Sequence, residues 1–358
     1  MNVSVVVPTL GRSSLTALLE RVPAGPDREV LVVDDRLDRT DPLPVPPGVR
    51  VIAGPARGPA AARNTGWRHA RHEWIAFLDD DVRPDPDWPR RLASDLAAAG
   101  DRVGGVQGVL RVPPPDRPPT DWERVTASLA DGKWITADMA YRRAALARVG
   151  GFDERLPRAF REDAELAFRV RRDGWSLCRG QRTTVHPVRA ESPWVSLRSQ
   201  RGNADDALLR RLYGRHWRER LEIPPGRRGR HTAITVAALA AAGLAVAAAR
   251  SRRIIPTVAA CTAAAAWAAG TAEFAGHRIL PGPRDRREVA VMVATSIAIP
   301  PLAVAHWLHG WWRWRGARPV AGGTRIRRLA EGSAARVGEN GPAEATVRPA
   351  TRPARTAR

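Results

Sequence analysis

Trp74-Ile75-Ala76-Phe77-Leu78-Asp79-Asp80-Asp81 is the stretch whose reading decides the fold. Five apolar residues without a break read as a buried strand. The three carboxylates then fall at its carboxyl end, where open α/β sheets bind ligands. Adjacent acids repel one another unless positive charge sits between them. A hard divalent cation, which takes oxygen ligands and bridges to phosphates, answers that need. Taken alone, the segment also fits a solvated acidic turn.

Working outward, strand-like runs recur at 3–7, 29–34, 49–52 and 104–112, and amphipathic stretches at 13–21, 59–71, 87–99, 141–149, 162–173 and 195–212. This alternation predicts an α/β fold with a mainly parallel sheet covered on both faces. Val5-Val6-Val7-Pro8-Thr9 ends one strand in a turn, and Glu29-Val30-Leu31-Val32-Val33-Asp34-Asp35 ends the next in paired acids. Gly58-Pro59-Ala60-Ala61-Ala62-Arg63-Asn64-Thr65-Gly66 opens a small-residue helix carrying Arg63 and Asn64. Farther on lie Gly150-Gly151-Phe152-Asp153-Glu154 and Arg161-Glu162-Asp163. Singly, turn chemistry or helix capping accounts for each.

The 358-residue chain carries a formal charge of +21. That balance suits nucleic acid, anionic lipid or phosphorylated substrates. The arginines are spread out rather than interleaved with stacking aromatics, so nucleic acid is not the expected partner. Cys178 and Cys261 lie far apart in unlike surroundings, which suggests no disulfide framework and no zinc site. The N-terminus enters a strand pattern at once, without the sections of a signal peptide. The first domain is therefore expected on the cytoplasmic side of the plasma membrane.

Composition changes at 232. Thr232 to Ala249 carries no charge and is flanked by Arg227, Arg228 and Arg230 before it and Arg250, Arg252 and Arg253 after it. Ile254 to Gly276 has one charge, Glu273, and Glu288 to Leu308 is a third apolar run, interrupted by Pro300-Pro301 and followed by a tryptophan cluster. Each is a candidate span, because about 20 apolar residues cross a bilayer. Two spans plus a broken, re-entrant or interfacial third segment would keep the Arg-rich tail inside, as the positive-inside tendency asks. The expected organisation is a catalytic domain at 1–225, membrane helices at 226–315 and a disordered basic tail at 316–358.

In their order along the chain, the motifs of residues 2 to 215 resemble those of the family 2 glycosyltransferases, which have the nucleotide-diphosphosugar transferase (GT-A) fold. The resemblance implies that Pro8 and Thr9 line the nucleotide pocket, that Asp35 hydrogen-bonds the base and that Arg63 lies near the nucleotide. Asp79 to Asp81 match the family's DxD element. There Asp81 would hold Mg²⁺ or Mn²⁺ against the diphosphate, with Asp79 or Asp80 toward the ribose. Asp163 of the Glu162-Asp163 pair is similar to the general base, and His186, in Thr184-Val185-His186-Pro187, stands where relatives place a further metal ligand beside Asp79 and Asp81.

The chemistry suits those roles. A sugar nucleotide leaves as a diphosphate, whose developing charge a divalent metal stabilises as a Lewis acid. The acceptor hydroxyl must lose its proton as it attacks the anomeric carbon, and a carboxylate in reach takes it. Attack opposite the leaving group inverts the centre. Two departures limit the resemblance. Arg36-Leu37-Asp38 follows Asp34-Asp35 where the family usually continues with Gly or Ser before another acid, which leaves the base unassigned. Gln200-Arg201-Gly202-Asn203 lacks the Gln-x-x-Arg-Trp element of polysaccharide synthases, which favours transfer of one or a few sugars. Trp134 and Trp194 read as core residues. The expected protein is thus a membrane-anchored, metal-dependent inverting glycosyltransferase acting on a lipid-linked or cell-envelope glycan acceptor. A polyprenyl-phosphate sugar synthase is the nearest alternative. An inactive scaffold and a basic nucleic-acid-binding membrane protein are the alternatives of other classes.

Overall fold

A computed structural model describes residues 2–320 of the chain; the rest of the basic tail expected at 316–358 lies outside the described residues. The elements in chain order are β1 (Val3–Thr9), α1 (Ser14–Arg21), β2 (Arg28–Asp34), β3 (Val49–Ala53), α2 (Pro59–His69), β4 (Trp74–Leu78), β5 (Arg83–Pro84), α3 (Trp88–Ala97), β6 (Val103–Arg111), α4 (Asp121–Ala127), β7 (Asp138–Arg142), α5 (Arg143–Val149), α6 (Glu162–Arg172), β8 (Ser176–Val185), α7 (Val195–Arg198), α8 (Gly202–Tyr213), α9 (Trp217–Arg220), α10 (Arg228–Ser251), α11 (Ile254–Ile279) and α12 (Arg286–Arg313).

The strands form one sheet in the order β3-β2-β1-β4-β7-β6-β8-β5. The run from β3 to β4 is parallel, as is β6 with β8, while β7 runs antiparallel to both its neighbours. All five residues of β4 are buried, because the strand pairs with β1 on one side and β7 on the other and is covered on both faces. One cover centres on Leu15, Leu18, Trp88 and Leu92 of α1 and α3. The other centres on Trp67, Leu146, Phe152 and Leu166 from α2, α5 and α6 and the loop between the last two. The chain leaves β1 toward β2 and β3, then crosses back so that β4 lies on the opposite side of β1. This reversal opens a crevice between the carboxyl ends of β1 and β4, where Thr9 and Asp79 emerge.

Two strands depart from the expectations. The stretch read as a helix from 141 begins as β7, and Tyr141 and Arg142 belong to that strand. β8 carries Arg182 fully buried, where it pairs with Asp138 at 2.7 Å and Asp95 at 3.1 Å. Trp134 is half-buried, its indole N–H donating to Glu222 at 2.8 Å. Trp194 is 50% exposed and so is not a core residue.

α10, α11 and α12 have 24, 26 and 28 residues and are long and apolar enough to cross a membrane. At about 1.5 Å per residue each exceeds the roughly 30 Å of a bilayer's hydrocarbon core. α10 and α11 leave Val236, Leu239, Val246, Ile255 and Val258 exposed. Water penalises such surfaces and lipid does not. α12 continues unbroken through Pro300 and Pro301 and is the most buried of the three. Its end packs on α8, where a Cβ on Gly310 would stand 2.6 Å from the Ala204 backbone. Arg278 on α11 joins the parts. Its guanidinium donates to Thr295 and Ser296 of α12 at 2.7 and 3.0 Å, to Asp121 of α4 at 2.8 Å and to Ser196 of α7 at 3.2 Å.

Candidate active site

Each acid of the Asp79-Asp80-Asp81 turn faces a different partner. Asp79 accepts from Arg63 Nη2 at 2.7 Å. Asp80 turns back toward β1, where it accepts from the Thr9 hydroxyl at 2.6 Å and pairs with Arg12. Burial holds the Asp80 carboxyl above the usual range despite both contacts. Asp81 pairs with Arg189 Nε at 3.1 Å and lies 3.9 Å from His186 Nε2. The mutual repulsion of the three acids is thus met largely by arginines, and charge alone does not call for a cation. Convergence makes a place that could hold one: one ligand atom each from Asp79, Asp81 and His186 lie within 4.8 Å of one another. Two carboxylates and an imidazole are a donor set that suits Mn²⁺ or Mg²⁺.

Behind this group, Arg63 on α2 is buried and bridges two acids. Its second nitrogen donates to Glu162 Oε1 at 2.8 Å. α2 can approach so closely because it is built of small residues, with Ala60, Ala61 and Ala62 buried. Its N-terminus needs glycine: Gly58 has φ +94°, and a Cβ there would sit 2.0 Å from the Pro157 carbonyl oxygen. Next to Arg63, the Asn64 side chain bonds both the N–H and the C=O of Phe152, at 2.8 and 2.9 Å. That pins the loop leading to Glu162 and Asp163.

Glu162 and Asp163 open α6 directly after Arg161, a non-glycine residue at φ +74°. Such backbone strain clusters where surrounding structure fixes a functional geometry. Glu162 is buried, and one of its carboxylate oxygens has no partner. Asp163 is half-buried and accepts the Ala164 N–H at 2.7 Å. Burial raises the pKa of both carboxyls, and for Glu162 the neighbouring Asp163 adds to the rise while Arg63 opposes it.

The structure therefore brings Thr9 to Asp80, Arg63 to Asp79 and Glu162, and His186 to Asp79 and Asp81. Pro8 precedes Thr9 in β1 and is half-buried. Asp35 stands apart from this group: its oxygens accept the N–H groups of Ala56 and Gly58 at 2.7 and 2.9 Å. In this arrangement it holds the β3–α2 loop. Arg12 and Arg189 were not anticipated, since each lies in a loop without a distinguishing neighbour in sequence. Asp138 was also missed. It accepts from Trp88, Arg182 and Thr184 at 2.6–2.7 Å and braces β7 beneath the site.

Residues 4–137 match the family model described as glycosyl transferase family 2, so this stretch of the chain is a domain of that family, with the GT-A arrangement of sheet and helices. The pre-mycofactocin glycosyltransferase of Mycobacterium tuberculosis is 28% identical over 193 residues, 47% of this chain and 39% of that protein. The succinoglycan biosynthesis protein ExoO of Rhizobium meliloti is 46% identical over 80 residues, 21% of this chain and 23% of its own. The chain thus spans well under half the length of these curated relatives. Among solved structures, the mannosyltransferase PcManGT from Pyrobaculum calidifontis, in complex with GDP-Man and Mn²⁺, aligns over 87% of both chains with a TM-score of 0.48 and 20% identity.

Proposed function

We propose that this protein is a membrane-associated inverting glycosyltransferase that moves a sugar from a nucleotide-diphosphate donor to a hydroxyl of a lipid-linked or cell-envelope acceptor. The convergence of Asp79, Asp81 and His186 next to the Arg63–Glu162 pair carries this reading. The matched family and the transferase relatives support it.

In this reading Asp79, Asp81 and His186 would hold Mg²⁺ or Mn²⁺, and the chemistry the ion would supply is Lewis-acid stabilisation of the departing diphosphate. Thr9 and Arg12 fix Asp80 and with it the turn that presents the two ligand acids. Arg63 bridges Asp79 and Glu162 and holds the two acids side by side. Asp163 is the better placed of the two α6 acids to act as base. One Glu162 oxygen is taken up by Arg63 and the group is shut from solvent, whereas Asp163 is open on one side. A raised pKa makes its carboxylate a stronger proton acceptor, provided the pH keeps it ionised. The domain boundary near 225 and the cytoplasmic placement belong to the same proposal.

The test is calorimetric titration of a panel of nucleotide-diphosphate sugars into the full chain in detergent, with Mn²⁺ and then with a chelator. Metal-dependent binding of one donor is the expected result. A folded protein that binds none of them refutes the reading.

A further inference from the structure

Between the catalytic domain and the end of α12 lies a cavity of about 340 Å³ that the chemistry above does not use. The loop ahead of α6 gives it Arg155 and Arg158, the turn before α8 gives Arg201, and α12 gives His306, His309 and Arg313. The last three recur at helical spacing, so they share one face. Positive charge is in excess. Arg155 is neutralised by Asp153 at 2.6 Å and Arg158 faces Asp205 at 3.3 Å. Among the described residues, Arg201 and Arg313 have no carboxylate partner. Arginines gathered in a concave site without matching acids favour an anion, and phosphate fits the guanidinium fork best.

The surroundings narrow the source of that phosphate. Leu302 and Leu308 of α12 are exposed close by, and Trp311 and Trp312 stand at 38% and 66% exposure one turn away. Tryptophans at the end of a long apolar helix mark the level of lipid headgroups. The cavity also joins the candidate active site through one loop. Pro157 lines it, and the Pro157 carbonyl is the atom against which Gly58 packs at the start of α2. The same loop ends at Glu162 and Asp163. An anion held here sits at headgroup level, against the loop that delivers the candidate base.

We propose that this cavity binds the phosphate headgroup of a lipid acceptor, with Arg201 and Arg313 as its principal contacts. This rests on the glycosyltransferase reading and adds the acceptor class to it. The test uses the full chain in phosphatidylcholine nanodiscs, with farnesyl phosphate, farnesol and inorganic phosphate as probes by thermophoresis, and the donor identified above by calorimetry with Mn²⁺. Farnesyl phosphate should bind at least tenfold more tightly than either of the other probes. The double variant Arg201→Gln/Arg313→Gln should lose at least tenfold of that affinity while its donor affinity stays within twofold. Neither substitution breaks an ion pair, and Asp205, which Arg313 faces, keeps Arg158 at 3.3 Å, so the fold should persist, and donor binding reports it. Inorganic phosphate binding as tightly as farnesyl phosphate would overturn the lipid assignment, and unchanged binding in the variant would overturn the site. Donor binding without farnesyl phosphate binding overturns the cavity proposal alone. Loss of both overturns the transferase reading with it.

Discussion

Replacing Asp163 by Asn separates catalysis from helix capping. The amide keeps an oxygen that can accept the Ala164 N–H now bonded at 2.7 Å, and it changes the shape of the side chain little. What disappears is the proton-accepting charge. General-base contributions run from about 10² to 10⁴ in rate, roughly 3–5 kcal/mol of barrier. Stability moves the other way. Burial is the largest influence on the Asp163 carboxyl and raises its pKa in the folded chain. The folded state therefore binds the proton more tightly than the unfolded state, and ionising the group costs stability as pH rises from about 4 through the folded value. The Asn variant escapes that cost, so it should melt no lower than wild type at pH 7, with its relative stability improving from pH 4 upward. If Asp163 only caps α6, the Asn variant should keep wild-type turnover, because Asn caps a helix about as well as Asp. The assay is release of nucleoside diphosphate from saturating donor, alongside thermal melts at several pH values. Wild-type turnover should decline with falling pH through a limb above the ordinary carboxylate range. Turnover within threefold of wild type would refute the assignment, whatever the melting temperature.

Three further outcomes are expected. Asp81→Asn should weaken Mn²⁺-dependent donor binding at least a hundredfold with the circular dichroism spectrum unchanged; metal-dependent affinity equal to wild type would remove Asp81 from the ligand set. Gly58→Ala should lower stability by about 2 kcal/mol or more, since it combines a left-handed φ with a Cβ 2.0 Å from the Pro157 oxygen; a denaturant midpoint equal to wild type would contradict that. A fragment ending at residue 225 should leave the membrane fraction on carbonate washing but melt below the full chain, because α8 loses its cover from α12; persistence in the washed pellet would mean that the domain itself binds lipid.

Where apolar runs end in acids, sequence and structure agree closely, because burial between two neighbouring strands and under both faces of the sheet selects a recognisable composition. β4 and its three aspartates are the clearest instance. β7 was hidden because Tyr141-Arg142-Arg143-Ala144 has helix-forming composition, and only pairing with β4 and β6 commits its first part to the sheet. β8 was hidden by Arg182, a charge in the core that no alternation rule admits until Asp138 and Asp95 are seen beside it. In the site, the acids were legible while their counter-charges were not. Arg12 and Arg189 arrive from loops, and Asp35, an acid at a strand end like the others, turns out to be engaged by backbone amides.

Arg278 has a consequence for reach. One guanidinium fastens two of the long apolar helices to two helices of the catalytic domain at once. If those helices lie in a bilayer, the domain cannot swing on a tether; it is clamped at one height and one tilt. The protein then measures its acceptors as a caliper does, admitting those whose reactive hydroxyl stands at the set distance from the membrane plane.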